Sequence, residues 1–136
     1  MTNLLVTFVA MIAIWPFGGG GKDYHMTASS QVPAASGTVK VTQNKDNGNT
    51  QVDIKVRNLA KPASLTPPAA AYIVWIRPRG ENAVKQAAIG VGNDLNGELK
   101  AATVSKDFDL FITAEQGQLV TAPTGPELLK VHINVT

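Results

Sequence analysis

The sequence predicts an all-β fold: an antiparallel, immunoglobulin-like β-sandwich of seven or eight short strands, preceded by an apolar N-terminal segment. Three observations lead there. Apolar and polar residues alternate with period two in one segment after another beyond residue 21, the signature of half-buried strands. Clusters of Gly, Pro, Asn and Asp separate those segments, as turns do. Helical periodicity is nearly absent; the alanine-rich stretch Leu59 to Ala71 carries Pro62, Pro67 and Pro68, so it reads as an extended crossover.

The strands follow in order. A first begins near Tyr24 and runs to Ser30. Val39 and Val41 then alternate with Lys40 and Thr42, and Val52, Ile54 and Val56 alternate with Gln51, Asp53, Lys55 and Arg57. Asn44-Lys45-Asp46-Asn47-Gly48-Asn49 between them is dense in turn formers and makes the pair a hairpin. Tyr72–Ile76 is a strand apolar on both faces. Lys85–Val91 and Glu98–Thr103 are weaker strands joined by the turn Gly92-Asn93-Asp94-Leu95-Asn96-Gly97. Phe108, Leu110 and Ile112 share one face of Asp107–Glu115, and in the last strand Leu129, Val131, Ile133 and Val135 point in while Lys130, His132 and Asn134 point out.

Two strands carry more apolar surface than a half-exposed strand needs. Ile73 and Trp75 lie on the second face of Tyr72–Ile76, and Phe111 joins the face that bears Asp107 and Asp109. Either a neighbouring loop such as Leu65 to Ala71 covers them, or they form a docking surface for a strand of the same or another copy.

The chain divides into an apolar segment, residues 1–21, and a sandwich domain, residues 22–136. All 12 basic and 10 acidic side chains fall in the second part. Leu4 to Phe17 is apolar apart from Thr7 and gives way to four glycines, Gly18 to Gly21. As a helix this run reaches only about 21 Å, against about 30 Å of bilayer hydrocarbon, so no membrane span is expected. Its length suits the apolar core of a secretory signal, although no Lys or Arg precedes it. Its β-branched content also suits a retained assembly strand, with Leu4, Val6, Phe8, Ile12, Ile14, Trp15 and Phe17 as the contact residues. Both readings stay open at this point.

Composition narrows the functional classes. Net charge is +2 with Lys and Arg scattered, which argues against nucleic acid as a partner. Cysteine is absent, which removes disulfides, thiol catalysis and zinc–thiolate sites. None of the serines sits in a Gly-x-Ser-x-Gly elbow. His25 and His132 fall on predicted strands, without the spacing of a metal motif. Asn44, Asp46 and Asn49 resemble half of a calcium loop, but its twelfth position is Lys55, where a bidentate acid is required. Asp107 and Asp109 read as the polar side of a strand, and Arg77-Pro78-Arg79-Gly80 as a strand end and turn. No catalytic, cofactor-binding or metal-ligating residue is therefore assigned, and no cofactor is expected.

Residues 72–129 resemble the extracytoplasmic C-terminal domain of anti-sigma-K factors. The resemblance rests on Tyr72, Val74 and Trp75, on Gly90 and Gly97, on Phe108 and Thr113-Ala114-Glu115, and on Pro123-Thr124-Gly125-Pro126-Glu127-Leu128. It implies a β-sandwich outside the cytoplasm. It carries no catalytic residues, and sigma-factor inhibition belongs to a zinc-bearing helical domain whose ligands this cysteine-free sequence lacks. The sequence thus leads to a non-catalytic, secreted or periplasmic protein that acts through protein–protein contacts, including contacts with other copies of itself. In the specific form, its apolar segment is donated as a strand to the next subunit of an extracellular fibre. The alternative is a module of the periplasm or cell surface that binds a small ligand or carbohydrate.

Overall fold

The computed structural model describes residues 21–136. Eight strands follow one another: β1 (Lys22–Ala28), β2 (Ser36–Gln43), β3 (Thr50–Arg57), β4 (Ala71–Pro78), β5 (Val84–Ile89), β6 (Gly97–Thr103), β7 (Asp107–Glu115) and β8 (Glu127–Asn134). The eight strands expected from alternation correspond to these, with ends shifted by a few residues. The crossover after β3 carries a 3-10 turn, Pro62–Ser64, and bends back through residues 65–67, so that Ala69 N–H donates to the Pro62 carbonyl at 2.9 Å.

All pairings are antiparallel, in the order β5-β4-β7-β8-β1-β2-β3-β6, giving one nearly closed sheet. The first strand holds its halves together. Lys22 to Met26 pair with β2, whereas Thr27 and Ala28 pair with Lys130 and Leu129 of β8. The sheet curls so that Val39, Ile54 and Val56 from one half meet Val74, Leu110 and Ile112 from the other in the main core. Period-two alternation in β2 and β3 follows from this, since only one of their faces meets that core.

Turn chemistry agrees with the sequence. Asn44 Oδ1 accepts the backbone N–H of Asp46 at 2.8 Å and Gly48 has φ +75°, so the oxygen-rich β2–β3 connection closes a hairpin. A bulge between Ile112 and Thr113 leaves Leu128 as an extra residue in β8. Leu128 and Leu129 are consequently both buried in the main core, a departure from alternation that a bulge permits.

Candidate functional site

The outer face of β4, β7 and β8 is where the second apolar set lies. Ala71, Ile73, Trp75 and Phe111 form a separate buried cluster, in which Ile73, Trp75 and Phe111 are fully shielded from solvent. Register explains their meeting, because Trp75 stands opposite Phe111 and Ile73 opposite Thr113. The covering loop is not the expected one. Leu65 and Ala69 pack against the main core, whereas Ala83 and Val120 pack on this cluster. Val120 belongs to the β7–β8 connection, residues 116–126, which crosses the face as a strap.

Glu115 fixes that strap. Its carboxylate accepts the Thr113 hydroxyl at 2.6 Å, the Thr124 hydroxyl at 2.5 Å, and the backbone N–H groups of Thr124 and Gly125, each at 3.1 Å. Thr113 Oγ1 in turn accepts the Trp75 indole N–H at 2.8 Å. Lys85 Nζ donates to the Gln118 carbonyl from the neighbouring strand. Burial pushes the Glu115 carboxyl up, but the converging hydrogen bonds from Thr113, Thr124 and Gly125 outweigh it and hold the group below the usual range. A buried carboxylate is tolerated because both of its oxygens accept hydrogen bonds, three at Oε2 and one at Oε1.

A polar cleft adjoins the strap-covered cluster. Arg77, opposite Asp109 in register, places its guanidinium 4.6 Å from the Phe111 ring centre and 3.4 Å from Asp109 Oδ2. His132, opposite Asp109 on β8, donates from Nδ1 to Asp109 Oδ1 at 2.8 Å. Its Nε2 lies 2.9 Å from Asp107 Oδ1, but off the ring N–H direction, so no hydrogen bond forms there. Arg79 reaches Asp107 Oδ2 at 3.2 Å while remaining largely in solvent. Together these groups line a cavity of about 320 Å³. Burial pushes the Asp109 carboxyl up; hydrogen bonds from His132 and Arg77, with the charges of His132 and Lys130, bring it below its ordinary value.

The sequence-expected residues are thus distributed as follows. Ile73, Trp75 and Phe111 meet, beneath the strap. Leu4, Val6, Phe8, Ile12, Ile14, Trp15 and Phe17 lie outside the described residues. Sequence reasoning kept Asp107 and Asp109 as an ordinary polar strand face and did not place His132 between them; the cross-strand register that does so is a long-range property. It also missed Glu115 as an anchor, although an acid closing a nine-residue, mostly apolar strand was the available signal.

Among the described residues, the sheet is open at one place. β5 and β6 are its outer strands and are not paired to each other, although only a short turn joins them. At that turn they are close: a Cβ on Gly97 would stand 2.3 Å from the Gly90 carbonyl oxygen. Toward their far ends Val84 and Val104 are 53% and 80% exposed. Among the described residues, no helix is long and apolar enough to cross a membrane. No protein-family model matches the chain, and no curated protein is found similar to it.

Proposed function

We propose that the chain is a non-catalytic extracytoplasmic β protein of immunoglobulin-like sandwich type that works through protein–protein contacts, joining copies of itself by strand addition. The observation that carries this reading is the pair of strand edges, β5 and β6, that the described residues leave unpaired in an otherwise continuous eight-stranded sheet. A free edge offers unpaired backbone N–H and C=O groups to an incoming strand. The charge-free, β-branched stretch Leu4 to Phe17 has the composition such a strand needs, and it supports export as well. The resemblance of residues 72–129 to an extracytoplasmic sandwich domain points to the same compartment. A contact between a segment of one copy and an edge of the next is head-to-tail and need not close, so it yields a fibre.

The test compares the full chain with a chain lacking residues 1–21, by sedimentation and electron microscopy. Polymers from the full chain and monomers from the shortened one are expected. Equal assembly of both removes the donated-strand reading.

A second reading draws on the polar cleft. Arg77, Arg79, Asp107, Asp109 and His132 converge there with both charge signs, which suits a small polar ligand such as a carbohydrate. It predicts a rise in melting temperature with a member of a sugar panel, abolished by Asp109→Asn.

A further inference from the structure

We infer that β6 pairs with β6 of a second copy, edge to edge and antiparallel, with Glu98 of each strand opposite Lys100 of the other. The contact goes beyond the donated strand, because Gly97–Thr103 supplies all of it and the β5 edge stays available to an incoming segment.

The two edges that the described residues leave unpaired differ in kind. Along β5 the register shifts between Val74 and Trp75, which leaves Gln86 without an opposite residue, and Lys85 donates from this strand to the Gln118 carbonyl. Bulges and lysines discourage pairing at an edge. β6 instead pairs with β3 along all 7 of its residues without a shift, so its outer edge is a regular row of N–H and C=O groups.

Charge selects the occupant. On the outer face, register sets Asp23, Lys40, Asp53 and Lys100 side by side in one row across β1, β2, β3 and β6. In the next row, Thr38 of β2 is followed by Lys55 and Glu98. Sign alternates from strand to strand, and the rows end at the open edge on Lys100 and Glu98, both exposed. A second copy of β6 continues both rows at once, because two-fold symmetry brings Glu98 to Lys100 and Lys100 to Glu98.

The same residues fix the register. Opposite residues of an antiparallel pair both turn their backbone groups toward each other or both turn them away. A strand paired with its own copy therefore matches even positions with even and odd with odd. Setting Glu98 against Glu98, or Lys100 against Lys100, opposes like charges. Setting Lys100 against Ala102 puts Val104 against Glu98 and answers neither charge. Setting Glu98 against Lys100 answers both, with Leu99 opposite Leu99 and Ala101 opposite Gly97. A Cβ on Gly97 would stand 2.3 Å from the Gly90 carbonyl oxygen, so the small side chain of Ala101 suits that crowded end. One short edge is small beside the roughly 1,000 Å² of a stable interface, so the contact joins copies where they are crowded and leaves dilute chains separate.

The absence of native cysteine makes the test direct. Full-length copies carrying Glu98→Cys are mixed with full-length copies carrying Lys100→Cys at high protein concentration and oxidised. The mixed pair sets the two thiols opposite each other and keeps one Glu98–Lys100 contact. Disulfide-linked dimers are expected to be at least about tenfold more abundant in the mixture than with either variant alone. Equal yields from one variant alone overturn the register, and absence of dimers from the mixture overturns the β6 contact. In parallel, Glu98→Lys and Lys100→Glu are each combined with Leu99→Cys, with folding checked by circular dichroism. Each alone is expected to lose the Leu99-position crosslink and their mixture to regain it, since the reversed charges answer each other only across the mixed pair; no recovery overturns the charge argument. Fibres in electron micrographs without these crosslinks overturn the contact and leave the donated-strand reading standing, whereas crosslinks without fibres support the contact and overturn that reading.

Discussion

Trp75 and Glu115 are coupled through one hydroxyl: the indole N–H donates to Thr113 Oγ1 at 2.8 Å, and that hydroxyl donates to Glu115 at 2.6 Å. One end of the relay lies in the outer apolar cluster and the other ties down the strap above it. Replacing Thr113 by Val preserves shape but leaves a buried indole N–H without an acceptor. A loss of about 2 kcal/mol in denaturant unfolding is expected, within the range for an unsatisfied buried donor. Glu115→Ala is expected to free the strap, detected as faster thermolysin cleavage beside Leu119, a residue 92% exposed at its crest.

Acid should destabilise the protein through two carboxylates. The folded-state values of Glu115 and Asp109 lie below the ordinary ones, so the unfolded chain binds protons more readily in that range. The stabilisation is complete above the unfolded values, about 4.3 for Glu and 3.9 for Asp, and is lost as pH falls through the lower folded values. Glu115→Gln is expected to unfold with a shallower dependence on pH below about 4. A slope identical to that of the unsubstituted protein would contradict the role given to this carboxylate.

At the alkaline end Tyr72 acts with the opposite sign. Burial pushes its phenol up to about 12, and its hydroxyl donates to the Ala60 carbonyl at 2.5 Å. Between pH 10 and about 12 the unfolded chain ionises this group while the folded one does not, so stability falls as pH rises through that window. Tyr72→Phe is expected to cost about 1 kcal/mol at neutral pH and to flatten the alkaline decline. Thermal melts at a series of pH values distinguish the two effects.

Two backbone positions make opposite predictions. Leu95 has φ +64° and belongs to neither apolar cluster, so its side chain supports no core while its backbone is strained. Leu95→Gly is expected to be neutral or to stabilise by up to about 1 kcal/mol. Gly125→Ala would place a Cβ 1.7 Å from the Ala114 carbonyl oxygen, and the strap must shift to admit it. A loss of about 1–3 kcal/mol is expected, with weaker protection of the Thr124 and Gly125 amides in hydrogen exchange.

Strand positions were legible in the sequence because alternation records which side of each residue meets the core. Val52, Ile54 and Val56 are buried while Gln51, Lys55 and Arg57 are exposed, as the pattern requires. The surplus apolar residues Ile73, Trp75 and Phe111 were legible too, but what covers them was not. The strap contributes only Val120 to that cluster and is held by hydrogen bonds to the buried Glu115 and to Lys85, which leave no periodic trace. The Asp107–Asp109–His132 contact depends on β8 returning beside β7, and the β5–β6 opening depends on strand order; neither is written in local composition.

The shared first strand also has a kinetic consequence. β1 pairs with β8 through Thr27 to Lys130 and Ala28 to Leu129, partners about a hundred residues apart. The two halves of the sheet therefore cannot be joined until β8 has been synthesised. Contacts of such long range make folding slow, in the millisecond-to-second regime of non-local β topologies. During that interval the edges that Thr27–Ala28 and β8 offer each other stay open, and nascent chains must be kept from pairing through them before each has closed on itself.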